Sequence, residues 1–233
     1  MVNVTRTKLL DVEKYMQSCM TDCAHDTEHI YRVLNYALDI MEHECDEVDG
    51  ELLTISCLLH DIGRTEQYAN PKIDHAICGA EKAHKWLVEN GYSCEFADVV
   101  KGCISTHRFR SDNPPKSIEA KILFDADKLD ACGAVGIART LLSKAKTSEP
   151  LYFLTESGDI ADATSNINPS FLYEYRFKLE KLYDRFYTKR GSQLALDRQL
   201  AAECFYGALL SELRGCYSYS QNTNKNTQNE GQR

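Results

Sequence analysis

The chain has 233 residues, enough for one sizeable hydrophobic core. Its 43% hydrophobic and 27% charged residues are ordinary for a globular protein, and no run nears the ~20 apolar residues of a membrane span. The net charge of -8 argues against a general nucleic-acid binder, while a local basic pocket for a small anion remains compatible with it. The opening MVNVTRTKLLDVEKYMQ is mixed in charge and lacks the apolar stretch of a signal peptide. The ten cysteines are scattered without a Cys-x-x-Cys pair; Cys57, Cys103 and Cys132 fall in apolar surroundings and read as small core residues. These features point to a reduced, cytoplasmic chain with no nucleic-acid or membrane partner.

In chain order, residues 5–21 read as an amphipathic helix carrying Leu9, Leu10, Val12, Tyr15 and Met16. In the next helix, about 26–44, Ile30, Val33, Leu34, Ala37, Leu38 and Met41 keep helical spacing, and His29 borders that stripe. His25 stands at its entrance, and His43 falls in an acidic, turn-like run as a solvated residue. A strongly apolar helix (Leu52, Leu53, Ile55, Cys57, Leu58, Leu59) then ends in His60-Asp61-Ile62-Gly63, where Gly63 is a natural stop. Residues 62–74, with Asn70-Pro71, read as a loop. A helix over 75–90 follows, with His84 on or beside its apolar stripe. Phe96, Val99, Val100 and Cys103 form another stripe that His107 continues, closed by Asp112-Asn113-Pro114-Pro115. Ser117 caps a helix reaching Asp127, and another runs from Ala131 to about Lys146. The polar stretch 147–169 is long for a loop, and 171–187 and 193–217 read as two closing helices. No segment shows sustained alternation of period two, so the expected fold class is all-α: one helical domain over 1–217 and a polar, disordered tail over 218–233.

Chemistry gathers at His29, His60-Asp61 and Asp127. Burying an imidazole beside a carboxylate is costly unless something satisfies both, and a divalent ion would do so. A mixed His and carboxylate set suits Mn, Fe, Co or Zn better than Ca. The run Asp125-Ala126-Asp127-Lys128-Leu129-Asp130 fails as a calcium loop, because Leu129 takes a ligand position and no glycine follows.

Taken together, His29, His60-Asp61 and Asp127 resemble the H…HD…D signature of the HD-domain superfamily of metal-dependent phosphohydrolases. The matching stretches are His25 to Val33, Leu58 to Gly63 and Asp125 to Ala131, and Gly133 to Thr140 resembles the branch of small bacterial HD hydrolases. The resemblance implies a helical bundle around a central ion held by His29, His60, Asp61 and Asp127. The ion would be Mn, Fe, Co, Ni or Zn, with Mg also admissible. It implies hydrolysis of a nucleotide or other small phosphate ester by water that the ion activates, with Asp61 and Lys128 in the chemistry. Asp26 would then fix the imidazole of His29, or else cap its helix. Asp130 is expected on a backbone or arginine partner rather than on the ion, and Arg32 in an ion pair or at the site.

Around these motifs stand Arg64, Lys72, Arg108, Arg110 and Lys128, of which Arg64 and Arg108 are expected to bind substrate. His75 opens a helix in a His-x-x-x-Gly element and His107 ends another, so both are candidates for a second ion or for phosphate. Two other readings are a di-iron oxygenase on the same scaffold and a non-catalytic nucleotide sensor. No histidine lies between Asp61 and His75, which weighs against the first, and no ligand is missing, which weighs against the second. The partner expected is a small phosphorylated substrate, and a homo-oligomer is left open.

Overall fold

The computed structural model describes residues 2–20, 27–108, 113–161 and 169–230. All named elements among them are helical, and the lone β-type contact is an isolated bridge between Leu154 and Ile160. The chain divides into two units: Met1–Asp130 with Phe186–Leu194, and Ala131–Arg185 with Ala195–Arg233.

The first unit is organised around α3 (Gly50–Leu59). Asp49 caps it by accepting from the amides of Glu51 and Leu52, which satisfies donors that the first turn leaves unpaired. Leu52, Leu53, Ile55, Ser56, Cys57, Leu58 and Leu59 are all buried, so the helix is covered on every side. It packs on α1 (Val2–Cys19), α2 (Thr27–His43), α5 (His75–Glu89), α6 (Cys94–Thr106) and α7 (Ile118–Leu129). Burying a side chain such as Leu59 stabilises by about 1.5–3 kcal/mol. That row of apolar contacts offsets the cost of carrying His60 and Asp61, 0% and 3% exposed, into the interior. Ser117 caps α7 as its sequence indicates, accepting from the amide of Ala120.

Several expected boundaries move. The stretch after Asp61 is not wholly a loop: α4 (Arg64–Ala69) forms a short helix whose first donor pairs are Gln67 N to Gly63 O and Asn70 N to Glu66 O. A salt bridge of 2.6 Å from Lys82 to Glu66 holds it to α5. Gly63 does not stop α3, which ends one turn earlier with His60 at its C-cap. What glycine permits there is close approach, because a Cβ at 63 would lie 2.3 Å from the His75 carbonyl and 2.6 Å from the Gly79 amide.

The expected helix over 171–187 is instead α9 (Phe171–Phe177) and a 3₁₀ turn (Leu179–Lys181). In the first unit the amides of Tyr187 and Thr188 donate to the buried carboxylate of Asp125, at 2.7–3.0 Å, rather than to a preceding helical turn. Thr188 then accepts from the Gly191 amide, so α10 (Lys189–Glu230) starts earlier than periodicity indicates. Its helical backbone also continues to Glu230, where composition points to disorder. Propagation adds a hydrogen bond for each residue fixed, and neither proline nor glycine stands between Cys216 and Glu230.

In the second unit, α8 (Gly133–Lys146) packs on α9. The Tyr183 hydroxyl accepts from the Gly133 amide at 3.1 Å, and Tyr175 stacks on Tyr206 at 4.2 Å between ring centroids. Cys57, Cys103 and Cys132 are buried as expected, and among the described residues no helix is long and apolar enough to cross a membrane.

Candidate metal centre

The turn after α3 projects His60 and Asp61 inward, and four other helices bring ligand-type groups to meet them. His29 comes from the first turn of α2, Asp127 from the last turn of α7, His75 from the first residue of α5 and His107 from the C-cap of α6. They form two triads of ligand atoms, His29–His60–Asp127 and Asp61–His75–His107, each within 4.8 Å.

Asp61 joins them. Its Oδ2 lies 3.6 Å from His29 Nε2 and 3.7 Å from His60 Nε2, and its Oδ1 lies 3.3 Å from His75 Nε2 and 3.6 Å from His107 Nε2. Asp127 Oδ1 stands 3.4 Å from His29 Nε2 and 4.0 Å from His60 Nε2. With ligand bonds of about 2.1 Å, the edges of a coordination shell measure about 3.0–3.4 Å. The observed separations are those edges slightly relaxed.

The outward nitrogens of all four imidazoles are already engaged. Nδ1 of His60 donates to the Cys57 carbonyl at 2.8 Å and Nδ1 of His107 to the Ile104 carbonyl at 2.6 Å. Nδ1 of His75 meets Gln67 Oε1 at 2.7 Å, and Nδ1 of His29 meets Asp130 Oδ2 at 2.7 Å. With the proton on Nδ1, each neutral ring turns a lone pair inward at Nε2. The Nε2 atoms of His29 and His60 are then 3.4 Å apart, two acceptors face to face. Those of His75 and His107 are buried with no hydrogen-bond partner. A buried acceptor without a donor is costly, and a cation would satisfy such atoms. The residues fit a divalent ion.

Electrostatics agree. Burial holds the His60 imidazole down to about 4 and the His75 imidazole to about 2, so both stay neutral near pH 7, the form that ligates. Burial alone would raise the Asp61 carboxyl, yet Arg64 and His60 beside it carry it well below the usual carboxylate range. Asp127 follows the same pattern, with Lys128 and His29 outweighing burial.

Other expected site residues are placed as follows. Lys128 donates to Asp127 Oδ2 at 2.6 Å and to the His107 carbonyl at 3.1 Å, and sits over the Phe124 ring. Arg64 Nε donates to Asp61 Oδ1 at 2.9 Å, and Arg108 pairs with Asp74 at 2.8 Å. Asp26, His25 and Arg110 lie outside the described residues. The carboxylate found on His29 Nδ1 is Asp130, which also takes Arg32 at 2.7 Å, the arginine contact expected of it. His84 pairs with Asp98 at 3.1 Å, and His43 closes α2 with its ring half exposed. Gln67 gives no signal in the sequence, because it stands in a six-residue helix too short to show periodicity.

The sequence matches the HD domain family over residues 27–132, which contain all six of these ligand-type residues. It is 30% identical over 194 residues to YpgQ, an uncharacterized protein of Bacillus subtilis, covering 80% of this chain and 84% of that one. The chain belongs to the HD-domain family. Its fold is that of solved members. The crystal structure of YpgQ in complex with ADP superposes with a TM-score of 0.68 at 27% identity, over 89% of this chain and 98% of that one. An HD-superfamily hydrolase from Bacillus thuringiensis gives 0.66 at 26% identity, over 89% and 97%. This HD protein is accordingly hydrolase-like, with a His and Asp cluster able to hold a divalent metal.

Proposed function

We propose that the protein is a metal-dependent phosphohydrolase acting on a nucleotide or similar small phosphate ester. The observation carrying this reading is the inward convergence of four imidazole Nε2 atoms on two carboxylates, with no protein donor for the buried Nε2 atoms of His75 and His107. His29, His60, Asp61 and Asp127 would hold one ion, and His75 and His107, sharing Asp61, a second. Divalent ions held there supply a Lewis acid for a phosphoryl oxygen and a source of nucleophilic water near neutral pH.

The chain's own groups do the rest. Asp61 presents an oxygen to each triad and so fixes their separation. Asp130 and the Cys57 and Ile104 carbonyls hold the ring protons on Nδ1, which keeps Nε2 free to ligate. Lys128, Arg64 and Arg108 place positive charge around the cluster, which suits a phosphate anion. The ADP held by the YpgQ structure supports a nucleotide as ligand.

The test is a release assay for phosphate and pyrophosphate across nucleotides and phosphate esters, with Mn²⁺, Co²⁺, Ni²⁺ and Mg²⁺ each supplied. Turnover of at least one nucleotide that stops on chelation is expected. No release with any ion and substrate pair would overturn the reading.

A further inference from the structure

Arg64 does something at this site that neither substrate binding nor simple packing accounts for. Its Nε donates at 2.9 Å to Asp61 Oδ1, the same oxygen that faces His75 Nε2 and His107 Nε2 at 3.3 and 3.6 Å. Lys128 makes the opposite choice on the neighbouring carboxylate. It takes Asp127 Oδ2 and leaves Oδ1 to His29 and His60. One cation therefore supports a ligand from behind, while the other stands on the ligand's donor face.

We propose that Arg64 is an internal counter-cation that competes with a metal ion for the Asp61–His75–His107 triad and thereby sets its occupancy. The inference rests on the binuclear reading of the proposed function. Arg64 opens α4, and its side chain is about a third exposed (32%), whereas that of Asp61 is nearly closed off (3%). An anionic phosphate arriving beside this half-buried side chain offers the guanidinium a second partner. An ion reaching Oδ1 must either share that oxygen with a bidentate-capable cation, against the repulsion of its charge at a few ångströms, or displace it. The His29–His60–Asp127 triad meets no such competitor on its inward oxygen among the described residues. The two positions should therefore load in order: His29–His60–Asp127 first, and Asp61–His75–His107 only as Arg64 shares or releases Oδ1.

The experiment is a titration of the metal-free full chain with Mn²⁺ alone, counting bound ions by equilibrium dialysis and following spin coupling between paired ions by electron paramagnetic resonance. Wild type should take one ion tightly and a second weakly. Arg64→Gln should bind the second about tenfold or more tightly, with the first gaining less because it meets Asp61 through the other oxygen, since one unit charge is withdrawn from beside Oδ1. Arg64→Lys keeps the charge and should stay closer to wild type. Adding His75→Ala and His107→Ala to Arg64→Gln should abolish the gain in the second ion. Equal second-ion affinity in wild type, Arg64→Gln and Arg64→Lys overturns the proposal, as does a wild type that never takes a second ion and an Arg64→Gln that also stops at one. A protein that binds its first ion and hydrolyses a nucleotide, yet shows either result, overturns the role of Arg64 alone. One that binds no ion at His29, His60 and Asp127 overturns the proposed function as well.

Discussion

Behind the His29–His60–Asp127 triad stands a carboxylate, Asp130, itself held by Arg32, and the nearest ammonium takes the outer oxygen of Asp127. Around Asp61–His75–His107 stand a neutral amide, Gln67, and two guanidinium groups, of which Arg64 takes the inner oxygen of Asp61 and both Arg64 and Arg108 disfavour charge on His75. The ligand types are alike in the two places, two imidazoles and a carboxylate each. What differs is where the neighbouring charge falls. The first position also has the second oxygen of Asp61 within reach, four groups against three, which already favours it. The surroundings predict one strong and one weak.

The contrast breaks most sharply at the ligands themselves. His60→Ala or Asp61→Ala should abolish metal-dependent hydrolysis and lower bound metal, with helical content by circular dichroism largely kept because α3 retains its apolar face. Either variant with full activity and metal would remove the basis for both positions.

Asp130→Asn probes the support behind His29. Loss of a carboxylate that orients a ligating imidazole costs about 10–100-fold in metal affinity. That loss should appear at the tight position, measured by Mn²⁺ titration, with the weak one unaffected. A smaller step is expected for Lys128→Ala: kcat/KM falls by about tenfold while the ion count at saturation stays as in wild type, the effect of removing one charged hydrogen bond to a phosphate. Loss of the ion instead would make Lys128 a support for Asp127 and nothing more.

The mildest change is in pH. Unfolded imidazoles take up protons near 6.5, whereas His60 and His75 are held to about 4 and about 2, chiefly by burial. The unfolded chain thus binds more protons below 6.5, so stability falls as pH drops below that value and these rings must stay neutral in the fold. Asp125, pushed up to about 6 chiefly by burial, acts in the opposite sense between 3.8 and 6 and cancels part of one ring's effect. Metal-free protein should melt about 2–6 °C lower at pH 5.5 than at pH 7 by calorimetry, and saturating Mn²⁺ should widen the gap.

The all-helical architecture is legible in the sequence because long periodic stripes carry it, and the candidate ligands His29, His60, Asp61 and Asp127 are legible because they lie on or at the ends of those stripes in the order of the HD signature. Other features depend on contacts between residues far apart in the chain. The hold of Asp125 on the Tyr187 and Thr188 amides, just before α10, is a pairing no local pattern encodes. Gln67 is hidden because a turn and a half of helix leaves no repeat to detect. Asp130 reaches the His29 ring from the end of another helix, a contact across about a hundred residues that no local pattern encodes.

Gly63 and Gly79 make the spacing between the two triads a property of a backbone seam. A Cβ on Gly63 would run into the His75 carbonyl and the Gly79 amide, and one on Gly79 would stand 3.1 Å from the Gly63 amide. The turn bearing His60-Asp61 is therefore clasped main chain to main chain against the helix start that bears His75. No side chain at the seam can be trimmed or rotated to adjust the fit, so the separation of the ligand sets is fixed as in a machined joint. Even Gly63→Ala, which alters no donor atom, should act as a wedge that shifts His75 away from Asp61 and splits the cluster along its shared carboxylate.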